Sequence, residues 1–154
     1  MNIAIGADHR GVETGLGLVG RLDGQGHNVV VVHCNEGSTC DYPDAAYTVG
    51  KAVASGAADR GILLCGSGIG MSIAANKING VRAALVGNTI SAELSRRHND
   101  ANVLCLSADT LGVKAIEQIV DAWLCAEFEG GRHARRVAKI EAIERGEDPK
   151  TVGD

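Results

Sequence analysis

Five short apolar runs, at residues 3–5, 29–32, 62–64, 83–86 and 103–106, punctuate the chain at intervals that leave room for helices between them. The run at 29–32 is four consecutive valines. Continuous β-branched runs of this kind indicate strands covered on two faces, as in a parallel sheet between helical layers. The intervening stretches carry helical spacing near 12–22, 42–55, 71–77, 90–97 and 111–126, with a last one near 132–144. Strict alternation of strand and helix predicts right-handed crossovers and an α/β domain with a five-stranded parallel sheet, helices on both faces.

No internal repeat and no linker interrupts this pattern, so residues 1–146 read as one domain and 147–154 as a polar C-terminal tail. The first helical stretch is rich in glycine (Gly15, Gly17, Gly20). Each glycine costs about 1 kcal/mol against alanine in a helix interior, so this helix is either frayed or closely packed on a partner.

The chain of 154 residues is long enough for one proper core. Its net charge of −4 and its 3% aromatic content argue against nucleic-acid binding, which favours basic faces and stacking rings. The sequence has no long apolar span and no basic-then-apolar leader, so no membrane contact is expected. Five cysteines (Cys34, Cys40, Cys65, Cys105, Cys125) are odd in number and form no C-x-x-C pair. That pattern predicts reduced thiols in a cytoplasmic protein rather than disulfides or zinc. His33, Cys34 and Cys40 match no standard metal-ligand spacing, and no metal is expected.

Candidate chemistry concentrates in GILLCGSGIGMSIAA, residues 61–75. A thiol, Cys65, ends a strand run, and a loop with Gly66, Ser67, Gly68, Ile69 and Gly70 leads into a helix of small residues. Glycines let the backbone approach a ligand, and N–H groups opening a helix favour an anion. The same residues also fit a buried structural thiol before an ordinary strand-to-helix turn. Asp8 and His9 directly follow the first strand, and ligands of open α/β sheets sit outside the carboxyl ends of the strands, so these two and Cys65 are expected in one crevice. The loop GADHRG is not a dinucleotide fingerprint, and no G-K-[ST] follows. Arg132 and Arg136 are four apart and share a helical face, as a phosphate clamp or a solvated basic face. His98, Asn99 and Asp100 precede the fifth strand and belong at the amino edge of the sheet, out of reach of Cys65. They are structural, or they complete the site of another chain.

Taken in order, GADHRG, CDYPDAA, LCGSGIGMSIAANKINGVRAAL, SRRHNDANVLCL and DAWLCAEFEGGRHARRV resemble the ribose-5-phosphate isomerase B family over residues 3–144. That family also includes galactose-6-phosphate and allose-6-phosphate isomerases. The resemblance implies a Rossmann-like aldose–ketose isomerase without metal or other cofactor, a homodimer or tetramer with sites at subunit interfaces. By the same resemblance Cys65 is the base moving a proton between C1 and C2, and His98 assists opening of the furanose ring. Gly66 to Gly70 hold the enediolate; Asp8 and Asn99 bind the sugar; His9, Arg132 and Arg136 bind phosphate; Tyr42 is a pocket wall. Some members use a glutamate after the loop as base, but Met71, Ser72 and Ile73 supply no carboxylate. Many members carry Gly-Ala-Arg after the fifth strand where this chain has Ser107, Ala108 and Asp109. Ribose 5-phosphate to ribulose 5-phosphate is the default reaction. Asp109 leaves open a tetrose, allose or galactose phosphate instead. A reading of another class is a non-catalytic nucleotide or metabolite-binding module, with Glu36 as a ribose ligand.

Overall fold

In the computed structural model, which describes residues 1–33 and 39–153, the five strands form one parallel sheet in the order β2-β1-β3-β5-β4. The strands are β1 (Asn2–Ala7), β2 (Asn28–His33), β3 (Arg60–Cys65), β4 (Ala83–Leu85) and β5 (Val103–Ser107). The helices are α1 (Val12–Gly24), α2 (Tyr42–Ala54), α3 (Ile69–Ala75), α4 (Thr89–Asn99), α5 (Val113–Cys125) and α6 (Arg132–Glu144). Each expected element is present within a few residues of its expected bounds. Cys34 and Glu36 lie outside the described residues.

Alternate residues of the strands feed two separate cores, as a parallel sheet buried on two faces requires. On one face Ile3, Ile5, Ile62, Leu64, Leu104 and Leu106 pack with α1, α4 and α5, and Trp123 is fully buried among them. On the other, Ala4, Leu63, Cys65, Val103 and Cys105 pack with α2 and α3 through Val49, Met71 and Ala75. The expectation fails at the valine run. Val30 is 58% exposed, because β2 is an edge strand and α2 lies over β1 and β3 rather than over it.

Helix α6 stands outside these layers, packed on α4 and the 3-10 turn Pro149–Thr151. Lys139 Nζ donates to the Pro149 carbonyl at 3.1 Å there. A second correction concerns the thiols. Cys65, Cys105 and Cys125 are free, but Cys40 is disulfide-bonded. An odd count excludes complete pairing and nothing more, so five cysteines never ruled out one bond. Among the described residues, no helix is long and apolar enough to cross a membrane.

Candidate active site

Cys65 closes β3, the central strand, and only 4% of its surface is exposed. Its Sγ accepts a hydrogen bond from the Gly68 N–H at 3.2 Å. The loop must turn sharply to deliver that N–H, and Gly68 does so at φ 74°, in the left-handed region that glycine occupies without steric cost. A side chain there would also strike the Leu106 carbonyl group, 2.9 Å from a built Cβ. Ser67 Oγ accepts from the Ile69 N–H at 3.3 Å, which leaves Ser67 and Ile69 on the exposed side of the loop. Behind the site, burial pushes the Cys105 thiol up, and the neighbouring Cys65 adds to the shift.

Asp8 and His9 follow β1, the neighbour of β3, so they stand at the same carboxyl edge of the sheet as Cys65. The Asp8 N–H donates to the Leu64 carbonyl at 3.1 Å. The buried Asp8 carboxylate turns the loop by accepting the N–H groups of Arg10 and Gly11, at 2.9 and 3.2 Å. His9 is exposed at the same rim. Tyr42 opens α2, whose first turn carries Pro43, and its ring lies on the loop: a Cβ at Gly70 would sit 2.5 Å from two ring carbons.

The remaining candidates gather elsewhere. His98 and Asn99 end α4, and Asn102 just beyond receives the Gly61 N–H at the start of β3. They therefore lie at the amino edge, and the length of β5 separates them from Cys65 by roughly 13 Å or more. Arg132 and Arg136 are exposed on α6, beside His98 and away from Cys65. One chain thus brings Asp8, His9, Tyr42, Cys65 and the loop together, and it holds His98, Asn99, Arg132 and Arg136 apart from them.

This second cluster is tightly built. The rings of His98 and His133 stack with centroids 4.1 Å apart, and the Glu129 carboxylate lies 3.8 and 3.7 Å from their Nε2 atoms. Arg97 Nε donates to Glu129 at 2.7 Å, and this bond holds the carboxyl below the usual carboxylate range. Desolvation, with positive neighbours, pushes the His133 imidazole down, and Arg132 Nε donates to its Nε2 at 3.3 Å. His98, Glu129 and His133 offer three ligand atoms within 4.8 Å of one another. Arg97 and Arg132 already occupy two of those three groups, so the surroundings suit an anion better than a cation. Asp100 is the structural member of the expected trio: it ends α4 in the left-handed region and receives Arg96 and Arg82 at 2.7 and 2.8 Å.

Glu129 and His133 escaped sequence reasoning, because what marks them is the burial of His133 and its stacking on His98, which only the fold creates. Arg10 also escaped it. Its guanidinium pairs with Asp109 at 2.8 Å, so the carboxylate that stands where many members carry an arginine comes with its own counter-ion. A cleft of about 560 Å³ between α4, α6 and the start of β4 includes Asn99, Ile140 and Ile143, and it does not reach Cys65.

A family described as Ribose/Galactose Isomerase matches residues 3–140. The chain is 46% identical to ribose-5-phosphate isomerase B of Escherichia coli (strain K12), over 93% of this chain and 96% of that one. It is 44% identical to the D-erythrulose-4-phosphate isomerase of Pectobacterium atrosepticum, over 91% and 93%. Its structure superposes with a TM-score of 0.90 on ribose-5-phosphate isomerase B from Mycoplasma genitalium with bound ribulose-5-phosphate. That protein is 43% identical, and the match covers 94% of this chain and 96% of the other.

Proposed function

The chain belongs to the ribose/galactose isomerase family, and from that premise we propose that it interconverts an aldose phosphate and its ketose, ribose 5-phosphate and ribulose 5-phosphate being the pair. The observation that carries the reading is the buried Cys65 sulfur, hydrogen-bonded by the Gly68 N–H where β3 gives way to the glycine loop. Isomerisation of an open-chain aldose needs a base beside C2 and pre-aimed donors for the oxygen that gains charge. The Cys65 thiolate takes the C2 proton, giving a cis-enediolate; the hydroxyl proton passes from O2 to O1, and the Cys65 thiol returns its proton to C1 as the carbonyl forms at C2. Loop N–H groups face the developing oxyanion. Asp8 and Asn99 hold hydroxyls, Tyr42 walls the pocket, and His9, Arg132 and Arg136 take the phosphate. His98 assists ring opening.

These roles need the two clusters in one place, and a two-fold homodimer, alone or within a tetramer, supplies that by laying one chain's amino edge against its partner's carboxyl edge. Exposed Ile69, Ile73 and Leu85 near the loop, and Ile140 and Ile143 on α6, support apolar contact between copies. No cofactor enters this chemistry. A phosphorylated metabolite as substrate supports a cytoplasmic location. Activity on a four-carbon sugar phosphate is the second reading, favoured by the similarity to an erythrulose-4-phosphate isomerase.

The test compares wild type with Cys65→Ala on a panel of four- to six-carbon aldose phosphates in deuterated water. Wild type should incorporate solvent deuterium into the product of one substrate. Cys65→Ala should lose turnover by at least about a thousandfold while binding that substrate within about tenfold, because the thiol acts on the transition state. Undiminished turnover by Cys65→Ala would refute the assignment of the base.

A further inference from the structure

Arg10 and Asp109 lie against the loop that follows Cys65 and have no part in the chemistry above. Arg10 leaves the loop after β1 and Asp109 the loop after β5, so their contact spans the end of β3, which lies between those strands. Arg10 Nε and Nη2 both donate to Asp109 Oδ1, at 3.0 and 2.8 Å. The pair rests on the glycine loop. The Asp109 N–H donates to the Gly66 carbonyl at 3.1 Å, and the Ala108 N–H to the Cys65 carbonyl at 2.9 Å. A Cβ at Gly66 would come within 2.9 Å of Asp109 Oδ2 and 3.9 Å of Arg10 Cγ. The base of Arg10 is fixed as well, through the bond from its N–H to Asp8.

The two side chains are 56% and 41% exposed, and an ion pair so exposed contributes little to stability. Its chemistry at this place is more telling. A guanidinium has five N–H donors, and Asp109 engages two of them, leaving three in the planar arrangement that fits phosphate oxygens. Asp109 cancels part of the charge that Arg10 presents. Building on the sugar-phosphate reading, we propose that Arg10 is a binding residue for the substrate's phosphate, and that Asp109 is the counter-charge that limits its hold.

Two measurements on the intact protein test this: the Kd for inorganic phosphate by calorimetry, and steady-state kinetics with ribose 5-phosphate. Arg10→Met should raise the phosphate Kd and the sugar-phosphate KM by about tenfold, one charge-assisted bidentate contact, and leave kcat within about threefold. Arg10→Lys should recover part of the loss, since it keeps the charge without the fork. Asp109→Asn should lower Kd and KM by about threefold and steepen their dependence on salt, because a repelling carboxylate is gone. A phosphate Kd for Arg10→Met within about twofold of wild type would overturn the role of Arg10. A raised Kd in Asp109→Asn would overturn that of Asp109. If the wild type turns over no sugar phosphate, the functional reading fails, while the phosphate titration still decides this inference.

Discussion

Gly68 and Gly70 lie two residues apart in the loop, and the side chain each lacks would meet very different neighbours. At Gly68 a Cβ strikes the Leu106 main chain, and φ of 74° strains any L-residue. At Gly70 the nearest atoms belong to the Tyr42 ring, which can rotate away about its own side-chain bonds. Gly68→Ala should therefore destabilise the protein by about 2 kcal/mol or more in urea titrations. Gly70→Ala should leave stability within about 1 kcal/mol and lower kcat/KM instead. Because the displaced ring is the cause, Gly70→Ala added to Tyr42→Ala should lower kcat/KM no further. Full additivity of the two changes would show that Tyr42 does not transmit the effect. At this scale the sequence was partly legible. Cys65, the loop and Asp8 could be named because each adjoins a strand end, and Tyr42 through the family resemblance of its DYP motif. Arg10 and His133 could not, since their importance comes from a partner about a hundred residues away in one case and from a stacked ring on another helix in the other.

Helix α1 forms over its full length despite its glycines, because Leu18 and Leu22 bury themselves against β1 and β3 from its inner face. Tertiary packing overrides a poor propensity here. Close packing within the chain does not explain Gly17 and Gly20, since a Cβ at either would meet nothing within 4 Å. Gly17→Ala and Gly20→Ala should each raise stability by about 0.5–1 kcal/mol, read from the urea midpoint. A loss of stability in either would point to a neighbouring copy pressed on that helix. The elements themselves were legible because apolar runs and helical spacing are local properties. What the runs could not reveal was rank within the sheet: the valines of β2 read like a central strand, yet β2 is an edge.

Across the whole molecule, the dominant fact is the distance between the cluster at Cys65 and the cluster at His98. The order of strand and helix made that separation legible, since Cys65 ends a strand and His98 precedes one. What completes each half is not written in a single chain's pattern. The proposed sharing between subunits predicts a simple count. Cys65→Ala and His98→Ala homodimers should each be nearly inactive, and after refolding together about half the dimers should be mixed with one intact site each, restoring about a quarter of wild-type activity. Confirmed mixed dimers without recovery would refute the sharing. The same geometry governs what a cell with two copies of the gene would experience. A subunit carrying both Cys65→Ala and His98→Ala spoils each site of any dimer it enters, because every site draws one of those residues from it. An equal mixture with wild type should then retain about a quarter of full activity, where self-contained sites would retain about half. The double variant would thus be a dominant poison rather than a recessive loss.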